Sequence, residues 1–225
     1  MSEVRHLYLP VIIAVGFAVA ATSVLPDAQA FDSPKFVCSG SDNWMTPTDF
    51  RLRNSTRKLK FKFEDGKRNH LDPAISRMDN GQYNLYVLSD LEFLLRRWPN
   101  HHLALQALVR FEAGGGRPSP QRPTTCYFEL AQRFAPDDVN ILILRGIYFH
   151  GKGEYGMAEA AWLGALQINA GSPDAHYSLG LLYFNTGRTD DALEHAIAAY
   201  DAGYPLPGLK NKLVKAGKWT GKLDQ

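Results

Sequence analysis

The chain has 225 residues and 45% hydrophobic content, enough to bury a core and too much for wholesale disorder. Its 25 basic and 23 acidic residues leave a net charge of +2, too balanced to mark a nucleic-acid binder. By length, one domain plus a processed segment is the natural expectation.

The first element is a leader. Residues 7–25 are apolar apart from Thr22 and Ser23, with Arg5 upstream and Glu3 partly cancelling it. The run ends in Pro26-Asp27-Ala28-Gln29-Ala30, the small-x-small spacing that a signal peptidase reads. This predicts a signal peptide over residues 1–30, cleaved after Ala30. The alternative is an uncleaved membrane anchor, because the 19 residues of 7–25 just reach across a bilayer. Pro10 and the cleavage pattern favour the signal peptide.

Residues 31–69 read as an N-terminal arm. Lys58-Leu59-Lys60-Phe61-Lys62-Phe63 alternates with period two, as a half-buried strand does, and Asp49-Phe50-Arg51-Leu52-Arg53 alternates too. A small hairpin is the expectation, lying against helices because two strands alone are marginal. Cys38 and Cys126 are the two cysteines of the chain. In an exported chain an even count suggests a bridge, here closing a loop of about 90 residues. The alternative is two unpaired, buried thiols. Two cysteines are too few for a thiolate metal site, and no C-x-x-C pair is present.

Next come helices. Residues 72–78 and 82–97 read as a short pair turning at Asn80-Gly81, with Leu88, Leu91, Leu94 and Leu95 on one face. A second pair starts at His102 and ends at Pro136. Its second helix is predicted over 124–134, carrying Phe128 and Ala131. The Gly- and Pro-rich run 114–123 must be a loop between its two helices.

Two further pairs repeat one another. Gly146 and Gly180 lie 34 positions apart, as do Phe149 and Tyr183, Gly153 and Gly187, Ala158 and Ala192, and Ala165 and Ala199. The glycines 146 and 180 belong where the first helix of a pair presses closest on the second. Gly153 and Gly187 belong in the turn, where a positive φ is needed. Trp162 fills the large position of the second helix, and Ala196 replaces it one repeat later. Period and pattern are those of the tetratricopeptide (TPR) repeat, and residues 139–170 and 173–205 are identified as two consecutive members. Arg145 stands at an apolar position and Ala170 at the usual terminal proline. After Pro205-Leu206-Pro207, residues 208–219 predict a last helix with Leu209, Leu213 and Ala216 on one side and lysines on the rest. A terminal element with one polar face is what the end of a repeat array needs.

The expected fold is therefore all-α. It is a TPR superhelical array of antiparallel helix pairs over residues 70–206, with a small irregular or β arm before it and a capping helix and tail over 207–225. From about Asp49 to Trp219 the chain resembles a group of exported bacterial TPR proteins. The resemblance rests on Arg96-Arg97-Trp98-Pro99-Asn100-His101-His102, Cys126-Tyr127-Phe128-Glu129 and Tyr204-Pro205-Leu206-Pro207-Gly208-Leu209. It implies export and a Cys38–Cys126 pairing; the mature chain would then be periplasmic, with the inner-membrane anchor of residues 7–25 as the alternative.

The TPR class implies a groove lined by first helices. Carried over by position, the groove residues are Leu103, Gln106 and Arg110; Asn140, Ile143, Ile147 and His150; and Asp174, Tyr177, Leu181 and Phe184, with Asn185 near them. An apolar peptide or helix with a polar end suits them. The alternative is that the last helix folds back into the groove and makes these residues core. His101-His102 reads as a helix start, because adjacent residues do not share a helix face and no carboxylate or cysteine neighbours them. His150, His176 and His195 read as packing or surface residues. Basic residues in 51–68 and 210–222 suit a solvated face, or peripheral contact with anionic lipid or cell-wall polymer.

No P-loop, G-x-S-x-G, H-E-x-x-H or G-x-G-x-x-G motif occurs. The reading is a non-catalytic scaffold or adaptor for a protein or peptide of the cell envelope, needing no cofactor, metal or nucleic acid. The other reading is an envelope structural factor associating through its basic ends. The partner and the oligomeric state are not encoded in any motif.

Overall fold

The computed structural model describes residues 47–120 and 122–220. The expected signal peptide, Cys38 and the C-terminal tail from 221 lie outside the described residues. Among the described residues there are ten α-helices and no strand.

The expected hairpin is replaced by helix. Residues Phe50–Leu52 form a single 3-10 turn, and Arg57–Gly66 form α1. Thr56 caps α1, its Oγ1 accepting from the Leu59 amide at 3.1 Å. A π-helical stretch, Lys67–Leu71, leads into α2 (Asp72–Asp79). Pro73 near the start of α2 has no N–H for the preceding turn, and the wider π turn falls where that bond is missing. The extra residue keeps Phe63, Gly66, Leu71, Ala74 and Met78 all buried. A strand would have sent Leu59, Phe61 and Phe63 the same way; in the helix Phe61 is 71% exposed while Phe63 is buried. The segment 49–53 cannot pair with it either, because Asn100 holds that segment in its turn: the Phe50 amide donates to Asn100 Oδ1 at 2.9 Å.

Eight further helices follow. They are α3 (Leu85–Arg97), α4 (His102–Ala113), α5 (Thr124–Phe134), α6 (Val139–Gly151), α7 (Tyr155–Ile168), α8 (Pro173–Asn185), α9 (Thr189–Asp201) and α10 (Gly208–Lys215). Short turns make α6 and α7, and α8 and α9, antiparallel neighbours, and these two pairs share the most extensive packing in the molecule. Gly153 and Gly187 carry the turns at φ 77° and 83°. The connection from α4 to α5 is the long glycine- and proline-rich one, and α4 packs on α6 as well as on α5.

Side-chain caps set the starts. Asn84 caps α3, His101 caps α4, Asp138 caps α6 and Ser172 caps α8. One continuous core runs from Phe50 to Leu213 through Trp98, Phe111, Phe128, Phe149, Trp162 and Leu179.

The 34-residue repeat explains a close approach and its exception. A Cβ on Gly146 would lie 2.2 Å from Trp162 Nε1, so the indole of α7 occupies the notch and donates to the Ile143 carbonyl at 3.1 Å. One repeat on, Ala196 leaves that volume empty. Leu209 of α10 fills it: a Cβ on Gly180 would lie 2.4 Å from Leu209 Cδ2. Loss of the tryptophan in one repeat thus makes the socket that seats the last helix. Leu209 and Leu213 are fully buried there, whereas Ala216, expected on the same stripe, is exposed beyond the end of α10.

Candidate functional site

The side chains expected to line a groove fall into three states. On α4, Gln106 is exposed, and Arg110 is exposed but ion-paired to Asp79 at 2.6 Å. On α6, Ile143 is buried, Ile147 is 44% exposed, and His150 is half-buried with its ring near Tyr155 and Trp162. On α8, Leu181 and Phe184 are half-buried and Asn185 is exposed. Tyr177 is covered, its ring stacked on Tyr204 with centroids 3.9 Å apart.

That stack belongs to the seat of α10. Tyr200 lies edge-on to Tyr177 and to Trp219. Its hydroxyl donates to the Leu206 carbonyl and accepts from the Lys210 amide, each at 3.0 Å. The turn into α10 is thereby pinned at both ends. Lys212 of α10 places its ammonium 5.5 Å from the Phe184 ring. The connection into α10 therefore covers Tyr177 and α10 itself reaches Phe184, while Ile147 and Asn185 stay open.

A second cluster joins the N-terminal turn to the helix pairs. Asn100 Nδ2 donates to Asp49 Oδ1 at 2.8 Å and to Asp138 Oδ2 at 3.0 Å. Asp138, with 1% side-chain exposure, also meets His102 Nε2 at 2.8 Å. A carboxylate does neighbour the histidine pair, contrary to the sequence expectation; it comes from a residue 36 positions away. Burial raises the Asp138 pKa, but the bonds from His102 and Asn100 outweigh it and hold the carboxyl below its usual range. Arg51 bonds Asp49 and Asp137, and its hydrogen bond is the main reason Asp49 falls to about 2.

His101 is fully buried, stacked on Phe50 at 4.2 Å. Its Nδ1 accepts from the Ala104 amide at 3.2 Å, which places the proton of the neutral ring on Nε2. Burial drives its pKa down to about 3. Asn100, Asp49, Asp138, His102 and Arg51 bind chain to chain while His101 Nε2 is buried without a partner, and the cluster reads as a structural joint.

His176 and His195, taken from sequence as separate packing residues, meet at Nδ1–Nδ1 2.8 Å. His176 Nε2 is 2.9 Å from the Ala170 carbonyl, which can only accept. With both rings neutral, His176 donates there and its Nδ1 accepts a hydrogen bond from His195 Nδ1–H. Burial lowers the His195 pKa, and His176 adds to the shift. The pair was findable: both positions lie within one repeat, on facing helices. Arg145, at an apolar repeat position, stays half-buried by reaching across to Gln132 of α5 at 3.0 Å. Burial lowers its pKa.

Among the described residues, no group of three or more His, Cys, Asp or Glu side chains is placed to hold a metal, and no helix is long and apolar enough to cross a membrane.

The 34-residue register and the Gly146–Trp162 contact give helix pairs of the kind that the resemblance to tetratricopeptide repeats implies. No protein-family model matches the chain. No curated protein matches it at a significant level. Among solved structures, a thermophilic TPR protein of Thermus thermophilus is similar over 64% of this chain and 77% of its own, with 22% identity and a TM-score of 0.48.

Proposed function

We propose that this is a non-catalytic, exported scaffold that holds a segment of another protein against the face made by α6 and α8. The observation that carries the reading is Ile147, which is 44% exposed on a first helix and continuous in register with Leu181 and Phe184. An open apolar side chain on that face, beside half-buried neighbours, is what an anchor residue of a partner needs. The helix pairs would stack as a superhelix with this face inward, and α10 would close the array. Export follows from the leader, with cleavage after Ala30 and a periplasmic partner of the envelope. A Cys38–Cys126 bridge would then tie the N-terminal arm to α5, where Cys126 is buried.

The test uses matched surfaces. Ile147→Glu and Leu181→Glu alter the proposed face; Leu163→Glu and Ile168→Glu alter exposed apolar residues of α7. Envelope proteins recovered with the wild-type chain should be lost with the first pair of variants and kept with the second, at equal thermal stability. Equal recovery with all four variants would remove the reading.

A further inference from the structure

Several basic residues of the helix pairs are neutralised from within. Arg110 pairs with Asp79, Lys152 with Glu112, and Arg188 with Glu159 and Asp191. Lys67 pairs with Asp72 and Arg77 with Asp90. Groups of cations outside such pairs lie on α1, with Arg57, Lys58, Lys60 and Lys62, and on α10, which alone of the two lies beside α8. Among the described residues, Lys212, Lys215 and Lys218 have no carboxylate partner, and all three are exposed.

Their positions follow from the repeat. Helix α10 starts at Gly208, within one position of the place where the next first helix would begin after α8 at Pro173. In the 34-residue register, Asn211 and Lys215 stand at the positions of Tyr177 and Leu181, and Lys218 follows just past the end of α10, after the left-handed Gly217. The face that is apolar at Ile147 and mixed at Leu181 and Phe184 becomes cationic at the next helix. Lys212 joins the two parts through its 5.5 Å approach to the Phe184 ring. The opposite end of α8 carries the exposed Asp174, so the strip also has a direction, with its cations toward the C-terminal ends of the helices.

We infer that the segment bound on this face is an acidic-apolar peptide, its apolar side chain resting on Ile147, Leu181 and Phe184 and its carboxylates meeting Lys212, Lys215 and Lys218. This rests on the proposed binding face and adds its chemistry. Carboxylates are selected because these cations lack internal partners, so pairing them with a ligand breaks no existing ion pair. A basic segment would be repelled by the same lysines. A peptide is favoured over a membrane surface because the charges continue an apolar strip that runs across successive helices, which a segment can follow.

The experiment is selection of a random-peptide display library on the purified full protein. Selected peptides should combine an apolar residue with aspartates or glutamates. A synthetic copy should bind roughly tenfold more weakly to Lys215→Gln/Lys218→Gln, and more weakly again at high salt. These exposed substitutions leave the fold intact, which a thermal melt checks. Apolar peptides without acids, lost in Leu181→Glu but kept in the lysine variant, would overturn this inference and leave the binding face standing. Acidic peptides indifferent to the lysine variant would also overturn it. Selection of no peptide would remove both the face and its chemistry. Lysine-dependent sedimentation with phosphatidylglycerol vesicles, without peptide selection, would assign the cations to a lipid surface instead.

Discussion

Single residues carry this fold through tight fits and buried polar groups. Gly146 is the clearest case. A methyl there meets the Trp162 indole at 2.2 Å, so the ring must move and lose its bond to the Ile143 carbonyl. Gly146→Ala should cost about 1–3 kcal/mol, read from the urea midpoint. The cost should shrink when Trp162→Leu is already present, because the two sites share one space. His101 makes a pH prediction. It is neutral in the fold, with a pKa near 3, and takes a proton below about 6.5 when unfolded. Its contribution is therefore complete above pH 6.5 and is lost as pH falls toward 3. Between about pH 6.5 and about 4 the wild type should lose about 3 kcal/mol through this group. His101→Asn keeps a capping acceptor and removes the titration, so its stability should change less over the same interval. An equal loss in both would show that other groups dominate.

At the level of elements, the exchange of Trp162 for Ala196 decides where α10 sits. Leu209→Ala empties the socket beside Gly180 and should cost about 2–5 kcal/mol locally. Hydrogen exchange should accelerate in α10 while the amides of α6 and α7 keep their protection. Ala196→Trp refills the socket from within and should release α10 in the same way. Protection of α10 unchanged in both variants would contradict the seat.

The elements also show where sequence was legible. The 34-residue register exposed α6 to α9 because each position in it has one steric job. The bounds of α5 followed from the glycine-rich loop before it and Pro136 after it. The arm misled because lysine–apolar alternation over six residues fits a strand, and the deciding facts are tertiary. Asn100 captures Phe50, and the π turn before Pro73 keeps Phe63 in phase with Leu71. His102–Asp138 was hidden for the same reason: separation along the chain conceals proximity. The groove positions were placed on their helices by register alone, but register could not show that Tyr204 covers Tyr177 or that Ile143 is buried.

For the whole molecule, the proposed export and disulfide give one prediction. Reduction, or Cys126→Ser, should lower stability by roughly 4 kcal/mol, since the bridge closes a long loop. Thiol titration of the denatured, unreduced protein should find no reactive cysteine. Two reactive thiols would contradict the bridge.

The central claim is that the first-helix face, and not the outer face, holds another protein. A photo-cross-linking residue placed at Ile147 or at Leu163 tests it in the native envelope, because the two sites are almost equally exposed, 44% and 41%. The account predicts one discrete adduct from position 147, mapped to an acidic-apolar segment of a single protein, and none from position 163. Adducts from 163 alone, or the same adducts from both, would contradict it.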